Sequence, residues 1–406
     1  MTRKLPLRAT DLRGFSRLAI DATTGLTDLV EAMHHNIASV SRVVGAAPTG
    51  RTTGITGLVY GTVRGITRLV GGGIDALLGQ LAPLLGESAS PPAREAVLSA
   101  LNGVLGDYLA ATGNPLGIRM RFRRNGLPLE LTAQGLAGAA AQPGGHASKV
   151  VVLVHGLCMN DLQWTRQDHD HGLALARDLG YTPVYLHYNS GLHVSINGCE
   201  LARLLESLVN EWPVPITDLA IIGHSMGGLV ARSACHAGQT SSHAWLRPLR
   251  KLVFLGTPHQ GAPLERGGNW IDTILGVSPY TAPFARLGKI RSAGITDLRY
   301  GYLLEEDWTG RDRFARMNVR RHAVPLADGV EHFAIAASTG KSTGDAKDRL
   351  LGDGLVPVAS ALGRHADPLR SLPMVEANLW VGHNMNHLDL LGRAEVYQQI
   401  RQWLAA

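Results

Sequence analysis

The sequence predicts an α/β protein: a mostly parallel, doubly wound sheet with an inserted helical cap and an N-terminal helical extension. Three observations carry this reading. Lys149 to Gly156 reads K-V-V-V-L-V-H-G, hydrophobic without alternation, as a strand covered on both faces must be. Runs of this kind recur with helical stretches between them, and strand–helix alternation builds parallel sheets. One run, Leu219-Ala220-Ile221-Ile222-Gly223, passes directly into a helix-like sequence through Gly223-His224-Ser225-Met226-Gly227.

Taken in chain order, the first zone (1–112) is helical in character. Phe15, Leu18, Ala19, Ala22, Leu26, Leu29, Val30, Met33 and Ile37 recur at helical spacing. A second segment, about Thr53 to Leu85, places Gly54, Gly57, Gly61 and Gly65 on one face. Each glycine costs a helix about 1 kcal/mol against alanine, so such a stripe implies close backbone contact. It packs either on the first helix or on a membrane or lipid-granule surface. Ala93 to Leu109 reads as a third helix. Alternating apolar residues around Asn125-Gly126 then predict a β-hairpin, and Ala137 to Ser148 reads as a linker.

The second zone, 117–406, is the sheet domain. Strands are expected at about 150–154, 182–187, 218–223, 251–255, 332–337 and 374–381, with helices near 161–179, 194–211 and 226–236. Residues 262–327 interrupt the alternation and carry Trp270, Tyr280, Phe284, Tyr300, Tyr302 and Trp308. An insertion there would sit above the carboxyl ends of the strands, where such folds bind ligands, as a cap lining a pocket.

Composition narrows the function classes. The 406 residues are 45% hydrophobic and 18% charged, as in a soluble globular protein. Net charge is +6, with acids interleaved and no basic stripe carrying aromatics, which argues against nucleic acid as a partner. Three cysteines make no disulfide framework and favour the cytoplasm. Met1 to Ile20 has no continuous apolar core of a secretory signal, and no stretch of about 18 apolar residues occurs.

The chemistry centres on Ser225. A serine hydroxyl becomes a useful nucleophile when a sharp strand-to-helix turn holds it clear of its strand, and small residues must flank such a turn; Gly223 and Gly227 stand two before and two after. Gly352-Asp353-Gly354-Leu355-Val356-Pro357 offers an acid on a tight turn, with Asp345 and Asp348 as weaker alternatives in a polar stretch. Two histidines, His383 and His387, follow the last apolar run, and His387 precedes the apolar Leu388-Asp389-Leu390-Leu391.

These motifs resemble the α/β-hydrolase superfamily, and within it bacterial serine esterases and lipases. Ser, then Asp, then His is the order of that fold's triad. The resemblance favours Asp353 as the acid, since D-G-x-V-P is similar to the acid loop of these lipases, and His387 as the base, since N-H-L-D-L-L is similar to their histidine loop. His155-Gly156-Leu157 resembles the H-G-x loop, which implies that the Leu157 and Met226 amides form the oxyanion hole. Gly256-Thr257-Pro258-His259-Gln260-Gly261 is similar to a loop of lipases and of GPI inositol-deacylase-like enzymes. The resemblance implies a serine carboxylic-ester hydrolase acting through an acyl-enzyme on a small-molecule or lipid ester, with no cofactor or metal. Two other readings share these residues: an acyltransferase using the same triad, and a lipid-surface protein with a vestigial hydrolase domain.

His224 is expected to support the elbow, His155 to brace the loop after it and His259 to order its own loop. Asp168-His169-Asp170-His171 suggests metal ligands, but histidines two apart diverge on a helix, so a solvated helix start is expected. Cys158 is superfluous beside a complete serine system.

Overall fold

A computed structural model describes residues 8, 10–24, 92–140, 148–262, 292–311, 321–342 and 352–406. The chain divides into two compact units, residues 1–88 with 111–116, and residues 89–110 with 117–406. In the smaller unit, residues 10–24 form helix α1. Arg17 Nη1 donates to the Gly113 carbonyl at 3.0 Å and Asn114 Nδ2 to the Gly14 carbonyl at 3.1 Å. The glycine-striped segment of residues 53–85 lies outside the described residues.

The larger unit is built on one eight-stranded sheet. Its strands are β1 (Arg121–Arg124), β2 (Leu127–Pro128), β3 (Lys149–Val154), β4 (Thr182–His187), β5 (Asp218–His224), β6 (Leu249–Leu255), β7 (Glu331–Ser338) and β8 (Leu379–His383). They lie in the order β2-β1-β4-β3-β5-β6-β7-β8. β1 is antiparallel to β2 and β4, and every other pairing is parallel. The helices are α2 (Pro92–Ala111), α3 (Ala133–Ala140), α4 (His171–Leu179), α5 (Val194–Glu211), α6 (Met226–Thr240), α7 (Ala293–Tyr300), α8 (Val358–Ala361) and α9 (Ala394–Ala405). This is the α/β-hydrolase fold. Among the described residues, no helix is long and apolar enough to cross a membrane.

The unbroken apolar runs have a direct structural cause. Val150, Val152 and Val154 enter one core with Ile221, Phe254 and Ala336, while Val151 and Leu153 enter a second with Ala220, Val253 and Ile335. Successive side chains point to opposite faces, and both faces are covered, so no position can be polar. The hairpin follows from its turn: Asn125 and Gly126 take φ values of 52° and 74°, the left-handed pair that a two-residue hairpin of this hand demands.

Three expectations are corrected. Residues 137–140 do not begin a linker but end helix α3, with Ala139 and Ala140 buried. Residues 161–179 are not one helix. A short 3₁₀ turn, Asp161–Trp164, is followed by Gln167 and Asp168 at φ 51° and 61°, and α4 begins only at His171. Asp170 caps it, accepting from Leu173 N–H at 2.9 Å. The last strand is likewise shorter than 374–381. A 3₁₀ turn at Glu376–Asn378 precedes β8, and Asn378 Nδ2 anchors it to the His332 carbonyl at 3.1 Å.

Residues 263–291 and 312–320 of the expected cap lie outside the described residues, and Trp270, Tyr280 and Phe284 with them. Of the rest, α7 is capped by Ser292 and stops at Gly301, φ 67°. Tyr302 and Leu303 beyond it are buried.

Candidate active site

β3 and β5 are neighbours in the sheet, yet the chain leaves β3 toward β4 on one side and returns to β5 on the other. Such a reversal opens a crevice at the carboxyl ends of the strands. Ser225 stands there, between β5 and α6, at φ 54° and ψ −124°. This backbone region is strained for a residue with a side chain. Ser225 N–H donates to the Leu255 carbonyl at 2.8 Å, which ties the turn to β6. The flanking glycines are sterically required. A Cβ on Gly223 would lie 2.6 Å from Gly228 Cα, and one on Gly227 would lie 2.1 Å from the Val154 carbonyl oxygen.

The acid and the histidine come from the loops after β7 and β8. Asp353 is buried between Gly352 and Gly354, at φ 54° and 95°. Its Oδ1 accepts from Leu355 N–H at 2.9 Å and Val356 N–H at 2.8 Å. Its Oδ2 accepts from His387 Nδ1 at 2.6 Å. A backbone bond from His387 N–H to the Asp353 carbonyl, 3.2 Å, runs alongside. With Nδ1 as donor, the lone pair of the neutral ring sits on Nε2. That nitrogen is buried and has no hydrogen-bond partner among the described residues. His383 instead ends β8, in register with Ser338 of β7.

His224 links the two loops to the elbow. Its Nε2–H donates to the His387 carbonyl at 3.2 Å, and the two rings lie 4.7 Å apart. Complete burial first, and the neighbouring His387 second, hold the His224 imidazole well below its usual pKa, so it stays neutral.

Leu157 and Met226 lie in the segment following β3 and at the first turn of α6. Among the described residues neither amide donates to a backbone carbonyl in the turns and loops, and the first N–H of a helix has no intrahelical acceptor. His155 braces the first of these segments. Its Nδ1–H donates to the Gly156 carbonyl at 2.9 Å, its ring stacks on Tyr188 at 4.4 Å, and burial lowers its pKa to about 3. Cys158 is buried, which raises its thiol pKa to about 12 and keeps it from being a nucleophile.

Several supporting residues were not evident from the sequence. Ser190 Oγ accepts from Cys158 N–H at 3.0 Å, fixing the turn beyond Leu157. Tyr188 Oη donates to the His155 carbonyl at 2.8 Å. Both follow β4, and nothing in Tyr188-Asn189-Ser190-Gly191 beyond its turn-forming composition marks it. His193 stacks on Trp308 at 3.7 Å and meets the buried Asp297 at 3.0 Å. Asp297 also accepts from Val194 N–H at 2.8 Å, so a residue 103 positions further along the chain holds the start of α5.

The D-H-D-H segment is not the solvated helix start expected. His171 is fully buried and donates through Nε2 to the Leu390 carbonyl at 2.9 Å. Its Nδ1 therefore accepts from His169 Nε2–H at 2.8 Å. The two rings meet because His169 lies before the helix, in a turn, and not on the helix face. A different group, Glu95, Asp161 and His187, brings ligand-type atoms within 4.8 Å of one another. Arg123 Nη1 lies 2.7 Å from Glu95 and 3.2 Å from Asp161, and this guanidinium already supplies a positive charge to both carboxylates.

Residues 146–337 match the protein family described as the PGAP1-like alpha/beta domain. No curated protein matches the chain. Among solved structures, the mature Bacillus licheniformis lipase BlEst2 is 16% identical, with 65% of this chain and 93% of that one covered at a TM-score of 0.41. A lipase-esterase related protein from Clostridium acetobutylicum is 15% identical, with 63% and 94% covered at 0.36. The Pyrobaculum calidifontis esterase is 12% identical, with 65% and 76% covered at 0.38.

Proposed function

We propose that this protein is a serine carboxylic-ester hydrolase of the esterase/lipase type. The single observation that carries the reading is the Asp353–His387 pair, 2.6 Å apart, which leaves the other imidazole nitrogen without a hydrogen-bond partner among the described residues, in a chain that also holds Ser225 on a strained strand-to-helix turn. In this reading Ser225 Oγ attacks the ester carbonyl carbon as His387 Nε2 takes its proton. Asp353, held by two backbone amides, stabilises the resulting imidazolium. The Leu157 and Met226 N–H groups bind the oxyanion. Collapse expels the alcohol, which leaves with the proton from His387, and forms an acyl-enzyme. Water then attacks, delivers its proton to His387, and releases the acid with Ser225 restored.

The substrate is a small-molecule or lipid ester. In this reading residues 117–406 are the hydrolase domain, with 262–327, largely outside the described residues, as a cap over the acyl pocket, and 1–112 are a helical extension, of which residues 89–110 group with the sheet unit. The three free cysteines fit a cytoplasmic protein, and the glycine-striped extension fits peripheral attachment to a membrane or lipid surface.

The test is a serine-directed fluorophosphonate together with a chain-length series of p-nitrophenyl esters. The reagent is expected to label Ser225, and Ser225→Ala to lose labelling and ester hydrolysis together, the latter by about 10³-fold or more. Labelling at Cys158 or at another serine overturns the assignment. Acyl transfer to an added alcohol at concentrations where water should dominate would favour an acyltransferase.

A further inference from the structure

A cavity of about 580 Å³ has none of Ser225, Asp353 or His387 in its lining. It opens between α6, residues 321–325 and residues 367–373, and three arginines line it: Arg232, Arg321 and Arg370. Arg232 is only 5% exposed. Its Nη2 donates to the Val324 carbonyl at 2.6 Å and its Nη1 faces His259 Nδ1 at 3.4 Å, but its buried Nε has no partner among the described residues. Arg321 donates to the carbonyls of His259 and Gly301 and to Gln260 Oε1, all neutral acceptors.

None of the three arginines takes part in an ion pair among the described residues. The acid in the lining, Asp367, commits Oδ1 to Leu369 N–H at 3.0 Å. His322 pairs with Asp307 at 3.0 Å. The guanidinium groups also feel one another. Burial first and Arg321 second lower the pKa of Arg232 to about 9, and burial first and Arg370 second lower that of Arg321 to about 10. A buried guanidinium keeps its charge and its planar fork of donors, a match for oxyanions. Among the described residues no carboxylate forms an ion pair with that charge; Asp307 acts on Arg321 only as a weaker, third influence.

We propose that this cavity binds a phosphate-bearing ligand. Its oxyanion is held by Arg232, Arg321 and Arg370, and its carbon skeleton rests on Leu303 and Leu372. Three cations suit a group of more than one negative charge better than a single carboxylate. The volume exceeds that of bare phosphate and falls in the range of small-molecule sites. Leu369, 90% exposed beside Arg370, lies at the edge where an acyl chain or other apolar group would continue. The phosphate could belong to a soluble ester or to a lipid headgroup; the chemistry of capture is the same.

The experiment uses the full chain and two probes: soluble glycerol 1-phosphate, read by calorimetry, and phosphatidylglycerol vesicles, read by sedimentation against phosphatidylcholine vesicles. Wild type should bind saturably, and Arg370→Glu should weaken binding at least tenfold. Arg364→Glu, which changes an exposed arginine outside the cavity by the same charge, should weaken it less than twofold. Arg232→Gln should abolish binding where circular dichroism shows it folded; if it does not fold, the exposed Arg370 decides. Binding of the soluble ester assigns a soluble ligand. Arg370-dependent capture by phosphatidylglycerol alone assigns a headgroup. Failure of wild type with both probes, or equal weakening by Arg364→Glu and Arg370→Glu, overturns the proposal. Neither arm reads ester hydrolysis, so this result is distinguishable from failure of the hydrolase reading.

Discussion

Ser225 sits at φ 54°, where a side chain costs about 1–3 kcal/mol, and the turn is retained because its amide and its flanking glycines lock it against β6 and β3. Glycine tolerates that conformation. Ser225→Gly is therefore expected to melt at higher temperature, by about 1 kcal/mol of added stability, while ester hydrolysis falls about 10³-fold or more. A variant that melts no higher than wild type would show that the turn stores no strain. The two histidines separate in the same way. His387→Ala should match the loss caused by Ser225→Ala, because members of one proton relay act as a unit, whereas His383→Ala should retain substantial turnover. The reverse order in kcat/KM would show that the base has been misassigned. Buried imidazoles also make stability acid-sensitive. Burial lowers His155 to about 3 and His171 and His332 to about 4. In the unfolded chain they titrate near 6.5, so below that pH the unfolded state takes up protons the folded state refuses. Their contribution is complete above about pH 6.5 and is lost progressively toward pH 4. The urea midpoint should hold steady from pH 8 to 7 and fall on acidification; a flat profile down to pH 4.5 would contradict it.

The elbow was legible because its requirements are local. Strand, two glycines and helix are contiguous in sequence, and a Cβ on Gly227 would come 2.1 Å from the Val154 oxygen, leaving no room for alanine. Gly227→Ala should destabilise the protein by several kcal/mol or fail to yield soluble protein, measured by thermal melting, whereas Gly138→Ala, with open space around it, should not. The central strands were legible for a similar reason: two covered faces leave a continuous apolar signature. Asp353 and His387 were readable as types on turns following strands, and the structure brings them to 2.6 Å. The misreadings occurred where non-local contacts decide. Met374 and Val375 look like a strand, yet Val375 is 64% exposed and the chain makes a 3₁₀ turn before β8. The 161–179 stretch has helical composition, but left-handed Gln167 and Asp168 break it. His171 is buried against Leu390, 219 residues away, which no spacing rule can reveal.

At the scale of the whole molecule, the α/β-hydrolase unit contains every group invoked for ester hydrolysis. Residues 1–86 supply none of them. A chain lacking residues 1–86 should hydrolyse a soluble short-chain ester at close to the full-length rate. If the glycine-striped segment binds lipid, activity on emulsified long-chain ester and sedimentation with anionic vesicles should both fall, and Arg64 and Arg68 should make the binding salt-sensitive. Equal loss on soluble and emulsified esters would reject the lipid-surface role and leave a packing one. The order of strands also has a temporal side. Ser225 belongs to the middle of the sheet, but the acid and histidine proposed as its partners follow β7 and the edge strand β8, 128 and 162 residues later in synthesis. A ribosome therefore makes the nucleophile well before it makes the base. If Ser225 and His387 act as proposed, the nascent chain folds its central strands around a serine that is still chemically idle, and reactivity waits for the last strand to dock. On the proposed assignment of nucleophile and base, turnover doubles as a clock for completed folding.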